Sequence, residues 1–411
     1  SATGPLTVVA ADGMPVPPFA RKRLLMGMGE TYDVIVTVPD GGRYEVRATA
    51  QDGSGHASLF LGAGEQHPAA VIPKPELYSM DWMLAGMDDE SPGDLESARP
   101  LAPYVALRAR QSTALPPAAP VREMELRLTG DMQRYVWSFN GKTVKEESTI
   151  RVTHGEVVRM RFINDTMMHH PLHLHGHFFR LLNGQGEFAP LKHTVDVPPM
   201  GKAAIEFLAN EEGDWVFHCH LLYHMKAGMT RVISYAEQGP DHQPKIHLKH
   251  VNPWQFTVDG TVQGNFTEGS TGWYNDRHRV ALDWEHGFDE DEYELDLKWS
   301  RFLNRDWSTL AGYRFTNEHD ARDRAFAGVQ HRLPFLTYSS LTLDTEGDLR
   351  PGLSRELQLT SRLSWVNELE YDTHSKWEWN SGLKYRVNKA WSFTGGFHSD
   401  HGFGAGLNFQ W

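Results

Sequence analysis

The strongest constraint on this chain is the period of its apolar residues, which is two rather than 3.6. In EYELDLKW, Tyr293, Leu295, Leu297 and Trp299 alternate with Glu292, Glu294, Asp296 and Lys298, an order that sends one kind of side chain to each face of an extended strand. The alternation recurs in RVALDWEH, WEWNSGLKYRV, WSFTGGFH and FGAGLNFQW. Earlier in the chain, short β-rich runs separated by turn signals follow one another: TYDVIVTV, GRYEVRATA, EMELRLTG, TIRVTHGEVVRMRFIN, KAAIEFLA and DWVFHCH. Runs of this length and composition predict an all-β chain.

Two breaks divide it. One is the Pro- and Ala-rich stretch from Pro100 to Pro120, and the other is AEQGPDHQPKIHLKHVN, which mixes prolines, charges and histidines without periodicity. The expected organisation is a partial β-sandwich over residues 1–115, a complete one over 116–236, a linker over 237–252 and a different β unit over 253–411. The chain opens at Ser1 on polar, strand-like sequence with no basic or apolar leader before it, as expected of a fragment or a processed product.

The last segment has the texture of an outer-membrane β-barrel. Ten of the thirteen tryptophans fall after residue 250, many near strand ends, as aromatic girdles at two membrane interfaces require. Tight turns at Asn304 and Asn388 alternate with longer polar loops, NEHDARD and TEGDLRPG, and the count of runs suggests about ten strands. The alternative is a soluble antiparallel sheet with one wet face, in which aromatic outer faces opposite charged inner faces would be inside-out. No apolar run is long enough for a transmembrane helix, and mean hydropathy is −0.49. The net charge of −13 argues against a nucleic-acid partner.

Two motifs carry chemistry. HHPLHLHGHFF places His170, His173, His175 and His177 within a short run, and HCHLLYHMKAGM contains His218, Cys219, His220, His224 and Met229. Strand alternation sends His173, His175 and His177 to one face and His170 to the other; likewise Cys219 faces away from both of its neighbours. One thiolate can then serve one metal while the flanking imidazoles serve another site. A blue-copper site takes two imidazoles, a thiolate and a weak axial thioether, and His170, His224, Cys219 and Met229 supply that set. Cys219 is the only cysteine, which excludes an internal disulfide and makes a structural zinc site a poor match.

HPLHLHGH and HCHLLYHMKAGM resemble the third and fourth copper motifs of multicopper oxidases. LTGDMQRYVWSFNG at Leu128 and KHTVDVPP at Lys192 resemble the C-terminal cupredoxin domain of the bacterial copper-resistance A oxidases, and the likeness covers roughly residues 1 to 236. It implies cupredoxin-like sandwiches in which His170, Cys219 and His224 bind type 1 copper with Met229 axial. It further implies that His173 binds type 2 copper, that His175, His218 and His220 bind the type 3 pair, and that His177 is no ligand. In the family, substrate is oxidised one electron at a time at type 1 copper, and dioxygen is reduced to water at the trinuclear cluster through Cys219, His218 and His220. Copper nitrite reductases are the nearest competitor, but there only one neighbour of the cysteine ligates metal.

The chain departs from the family in one respect: two further His-x-His motifs are needed, and only His56 and His67 precede residue 150. The type 1 set is thus complete and the type 2 and type 3 sets partial, with a missing N-terminal cupredoxin domain as an expected partner. Met26, Met28, Met80, Met83 and Met87 offer soft ligands for Cu(I), which makes cuprous ion or a small organic reductant such as a phenol the expected substrate beside O2. GVQHRLPFLTYSSLTLDTEGDLRPGLSRELQLTSRLSWVNELEYD resembles the outer-membrane copper-resistance B proteins, and Trp411 ends the chain as such barrels end. The resemblances together imply an oxidase in the periplasm, tethered to the outer membrane and acting in copper resistance. Two other readings stand beside it: a copper-sequestering protein that never turns over, and a copper-transporting barrel with a cupredoxin adaptor.

Overall fold

The computed structural model describes residues 2–74, 100–132, 134–239, 241–242, 244, 252–289, 292–317, 322–374 and 376–411. Ser1–Val251 and Asn252–Trp411 are two compact units.

The centre of the first unit is a sandwich of two sheets. One runs in the order Leu191–Lys192, Phe179–Leu181, Lys202–Leu208, Val157–Asn164, Val121–Asp131 and Val136–Phe139; the other in the order Thr194–Val197, His170–Leu174, Asp214–Cys219, Thr230–Tyr235 and Thr149–Val152. Alternation decides what each strand buries. In Val157–Asn164, Val158, Met160 and Phe162 enter the core, while Arg159 on the other face pairs with Glu123 at 3.0 Å and Glu206 at 2.8 Å. The core between the sheets is aromatic, with Phe139, Phe162, Phe179, Phe207 and Phe217 fully buried, each worth about 1.5–3 kcal/mol of burial.

The residues ahead of the sandwich form two three-stranded sheets, and the Pro- and Ala-rich connector packs rather than hangs free. Its turn at Pro103–Ala106 buries Pro103 and partly buries Tyr104, whose hydroxyl donates to Glu30 Oε1 at 2.7 Å and accepts from the Asp196 amide at 2.6 Å. Lys192, wholly buried, lies 3.1 Å from Asp12 and 3.2 Å from Glu30, which ties the N-terminal segment to the strands that carry the histidines. The expected linker also begins as part of the sandwich: His242 lies 2.9 Å from Asp214, and its carbonyl accepts from Arg151 at 2.6 Å.

The second unit is a closed barrel of twelve antiparallel strands, Gln255–Gln263 pairing with Gly402–Gln410 to shut it. The sequence pattern, which suggests about ten strands, undercounts it. Alternation is weakest in QFTVDGTVQ and FTEGSTGWY, where Gly260 and Gly269 stand at outward positions; Trp284 of the next strand fills the space over both, so apolar cover comes from a neighbour. TEGDLRPG also contributes less loop than expected, because Leu349 already begins the next strand. Closure leaves no edge to pair, which removes the open-sheet alternative.

An even strand number brings both ends of the barrel segment to one rim. Three of the turns there share one device: Asn275, Asn304 and Asn388 each accept two backbone amides through Oδ1 and fold the chain within a few residues. Connections such as that between Asp344 and Leu349 occupy the other rim. Outward side chains are apolar and exposed, among them Leu297, Leu341, Leu353, Leu383 and Phe393. Inward ones form buried ion pairs: Asp296 with Arg314 at 2.8 Å, Arg324 with Asp344 at 2.9 Å and Arg350 with Glu294 at 2.9 Å.

Candidate metal centre

Strand His170–Leu174 lies directly beside Asp214–Cys219, with Leu172 opposite Cys219 and His173 opposite His218. This register puts Cys219 with the core residues and His218 with His173 on the other face, two groups of donors separated by one strand's thickness.

On the core side, Cys219 Sγ lies 3.7 Å from His170 Nδ1 and 3.7 Å from His224 Nδ1, and the two Nδ1 atoms are 3.2 Å apart. All three side chains are buried. The Thr166 hydroxyl donates to Asn164 Oδ1 at 2.8 Å, so it accepts from His170 Nε2 at 2.8 Å and leaves the Nδ1 lone pair facing the sulfur. Trp137 stacks on His224 with ring centroids 3.8 Å apart. A five-residue helix, Leu222–Lys226, turns the chain back. The Met229 amide then donates to the His224 carbonyl at 3.0 Å, and the Cys219 amide to the Met229 carbonyl at 3.1 Å. Met229 is wholly buried in the same cluster. The turn requires Gly228, at φ +125°, because a Cβ there would lie 2.7 Å from the Trp137 carbonyl.

Burial sets the electrostatics. It holds the His170 imidazole well below its usual pKa and pulls His224 down to about 4, while pushing the Cys219 thiol up. At neutral pH the pocket therefore offers two neutral imidazole lone pairs and a thiol whose proton a cation must replace. Two imidazoles and one thiolate, with Met229 buried in the same core as Cys219, fit copper. If Met229 supplies the weak thioether of such a site, which would tune potential more than hold metal, Met229→Leu should leave the visible band of the copper-loaded chain in place and shift its reduction potential upward in a redox titration.

On the opposite face, His173, His175, His218 and His220 gather with ring centroids 4.7 to 5.6 Å apart. Two of their tautomers are fixed from behind. His173 Nδ1 donates to the His193 carbonyl at 2.8 Å and His218 Nδ1 to the Cys219 carbonyl at 2.9 Å, which leaves each Nε2 free to accept a metal. His175 Nε2 and His218 Nε2 are 3.2 Å apart, and His220 Nδ1 is buried with no partner. Gly29, at φ +87°, packs on His220 so closely that a Cβ would lie 2.6 Å from its ring.

His177 does not join them, contrary to simple alternation. The strand ends at Leu174, Gly176 takes φ +72°, and the His177 ring turns aside to meet the Tyr235 hydroxyl at 2.8 Å. His56 lies on a separate sheet and His67 stacks on Tyr44. Met26 and Met28 are exposed on either side of Gly27, which packs against Pro171 and Asp196 beside His170; Met80, Met83 and Met87, like His247 and His250, lie outside the described residues. Sequence reasoning missed Thr166, Trp137, His193 and Gly29, and also Met167 and Met168, exposed just ahead of His170.

The buried histidines make the metal-free chain acid-sensitive. His173, His218 and His224 have pKa values lowered to about 4 in the fold, below the unfolded value of about 6.5. The unfolded chain takes up their protons first, so stability is lost as pH falls from about 6.5 to about 4. For His224, the shift corresponds to about 3 kcal/mol, and urea midpoints of the metal-free chain measured across that window should fall accordingly.

Two segments of the chain match multicopper oxidase family models. They are residues 117–239, which contain every donor named above, and residues 4–64. Among curated relatives, the copper resistance protein A homolog of Pseudomonas syringae pv. tomato is 32% identical over 56% of this chain and 51% of its own length. Copper resistance protein A of Escherichia coli is 32% identical over 56% and 52%, and multicopper oxidase MmcO of Mycobacterium tuberculosis 31% identical over 56% and 42%. The chain thus spans about half the length of the curated relatives it matches.

Proposed function

We propose that the multicopper oxidase segment is the rear part of a copper-dependent oxidase acting in copper resistance, which oxidises Cu(I) or a phenolic reductant one electron at a time and delivers the electrons to O2. The observation that carries this reading is the convergence of Cys219, His170 and His224 within 3.7 Å, with the remaining His170 nitrogen committed elsewhere. Copper, when bound, supplies one-electron acceptance at the thiolate pocket and oxygen reduction at the histidine cluster.

The chain's own residues divide the work. His170, His224 and Cys219 hold the metal, Met229 tunes it, and Trp137 and Thr166 keep the imidazoles oriented. The His218–Cys219–His220 tripeptide joins the pocket to the cluster through covalent bonds, with His173 as the type 2 ligand and His175, His218 and His220 as type 3 ligands. Exposed Met26, Met28, Met167 and Met168 border the His170 side, and soft thioethers favour Cu(I) over a phenol. The remaining cluster ligands belong to a further cupredoxin domain supplied in cis or in trans.

Exposed apolar residues around the barrel and strands of 8 to 11 residues match the thickness of an outer membrane. They support a place in the periplasm, tethered to that membrane by a barrel like those of the copper-resistance B proteins. Cu(I)-dependent oxygen uptake by the chain supplied with its missing domain tests the oxidase reading; copper binding with no uptake under any such supplementation would favour sequestration instead.

A further inference from the structure

A second donor cluster lies in the other unit, inside the barrel at the rim of the Asp344–Leu349 connection. Glu285 stands near the end of strand His278–Gly287, His398 ends strand Trp391–His398, and His401 sits in the turn before Gly402. His401 Nε2 lies 2.9 Å and His398 Nε2 3.5 Å from the same Glu285 oxygen, Oε1. His398 Nε2 is also 3.7 Å from Glu378 Oε1. One ligand atom from each of Glu285, His398 and His401 falls within 4.8 Å of the others.

The surroundings fix this arrangement. The two imidazoles stack with centroids 4.7 Å apart, and Phe266 packs against both at 5.1 Å. Gly287 makes room, since a Cβ there would lie 2.6 Å from the His401 ring, and the Asn265 side-chain amide donates to the His401 carbonyl and holds the turn. Several lumen carboxylates meet arginine or lysine, as Asp296 meets Arg314 and Asp283 meets Lys298 at 2.7 Å. Glu285 instead meets two imidazoles. Stacked rings cannot both be imidazolium cations without repulsion, whereas two neutral imidazoles and one carboxylate with ligand atoms this close together suit a borderline divalent metal.

The geometry points to a divalent transition-metal site formed by Glu285, His398 and His401, with Glu378 within reach as a further oxygen donor, and Cu(II) as its tightest occupant by the Irving–Williams order. It lies at the rim opposite the chain's two barrel termini, where a cation meets the lumen before the buried ion pairs, and it is independent of the thiolate pocket.

The test uses the full chain folded in detergent micelles, loaded with Cu(II) and dialysed. Relative to the double variant His398→Gln, His401→Gln, the wild type should retain one additional equivalent of copper and an additional axial Cu(II) resonance, with the visible thiolate band equal in both. The single variants His401→Gln, in a turn, and Glu285→Gln, which keeps a hydrogen-bond acceptor, should each weaken Cu(II) retention while the barrel stays folded by gel mobility before heating. Equal copper content and identical resonances in folded wild type and single variants would overturn the site and leave the three residues as an ion-pair network. Absence of the visible band from all of them would count against the thiolate pocket alone.

Discussion

Cys219→Ser should abolish the visible colour of the copper-loaded chain completely. The intense band of such a centre is charge transfer from thiolate to copper, and no other side chain in the pocket provides a sulfur anion: Cys219 is the only cysteine, and Met229 is neutral. A serine hydroxyl is a harder and far weaker donor, so His170 and His224 alone would hold copper less tightly and without colour. The substitution also buries a hydroxyl in an apolar core, at a cost of about 1–3 kcal/mol. Urea denaturation should therefore accompany the absorption spectrum, to show that the colourless variant is folded. A wild-type chain that binds copper stoichiometrically yet shows no band would remove the thiolate assignment.

Leu297→Arg should be the most damaging single change in the barrel. Leu297 lies near the middle of strand Tyr293–Phe302 and points outward, half exposed, so in the proposed outer-membrane setting an arginine there would face the hydrocarbon centre at a cost of about 2–4 kcal/mol. Its neighbour Asp296 is an unsuitable inner-face control, because Arg314 grips it through two hydrogen bonds of 2.8 Å and a second arginine would break a buried pair. Ser340 is better: it faces inward near Gly352 and Glu370, so an arginine there meets a carboxylate. In lipid vesicles Ser340→Arg should fold as wild type, and Leu297→Arg should shift to the unfolded form in urea. Equal tolerance of both would mean that the outer face does not contact lipid.

The sequence made the β class and both donor motifs legible because each rests on residue type and parity. Cys219 and the flanking histidines obey strand alternation, so their faces follow from the sequence alone. His177 broke the rule because Gly176 ends the strand's geometry, and no parity argument sees a change of φ. The supports were hidden for a different reason. His173 is oriented by the backbone carbonyl of His193, and His220 is backed by the missing side chain of Gly29, groups with no residue-type signature. The barrel count fell short where glycines replace outward apolar residues and Trp284 covers them from the next strand. The donor set in the lumen was invisible because Glu285 lies over a hundred residues from His401, and only closure of the barrel joins them.

Under the proposed oxidase reading, this chain supplies a complete thiolate pocket and four histidines of a cluster that needs further ligands. Anaerobic reduction of the copper-loaded chain, followed by rapid mixing with air and measurement of colour return and oxygen consumed, tests it most directly. The chain alone should regain its colour slowly, releasing peroxide. Addition of a cupredoxin domain that carries the two absent His-x-His motifs should make reoxidation fast and the product water. Fast reoxidation to water by the chain alone would contradict the claim.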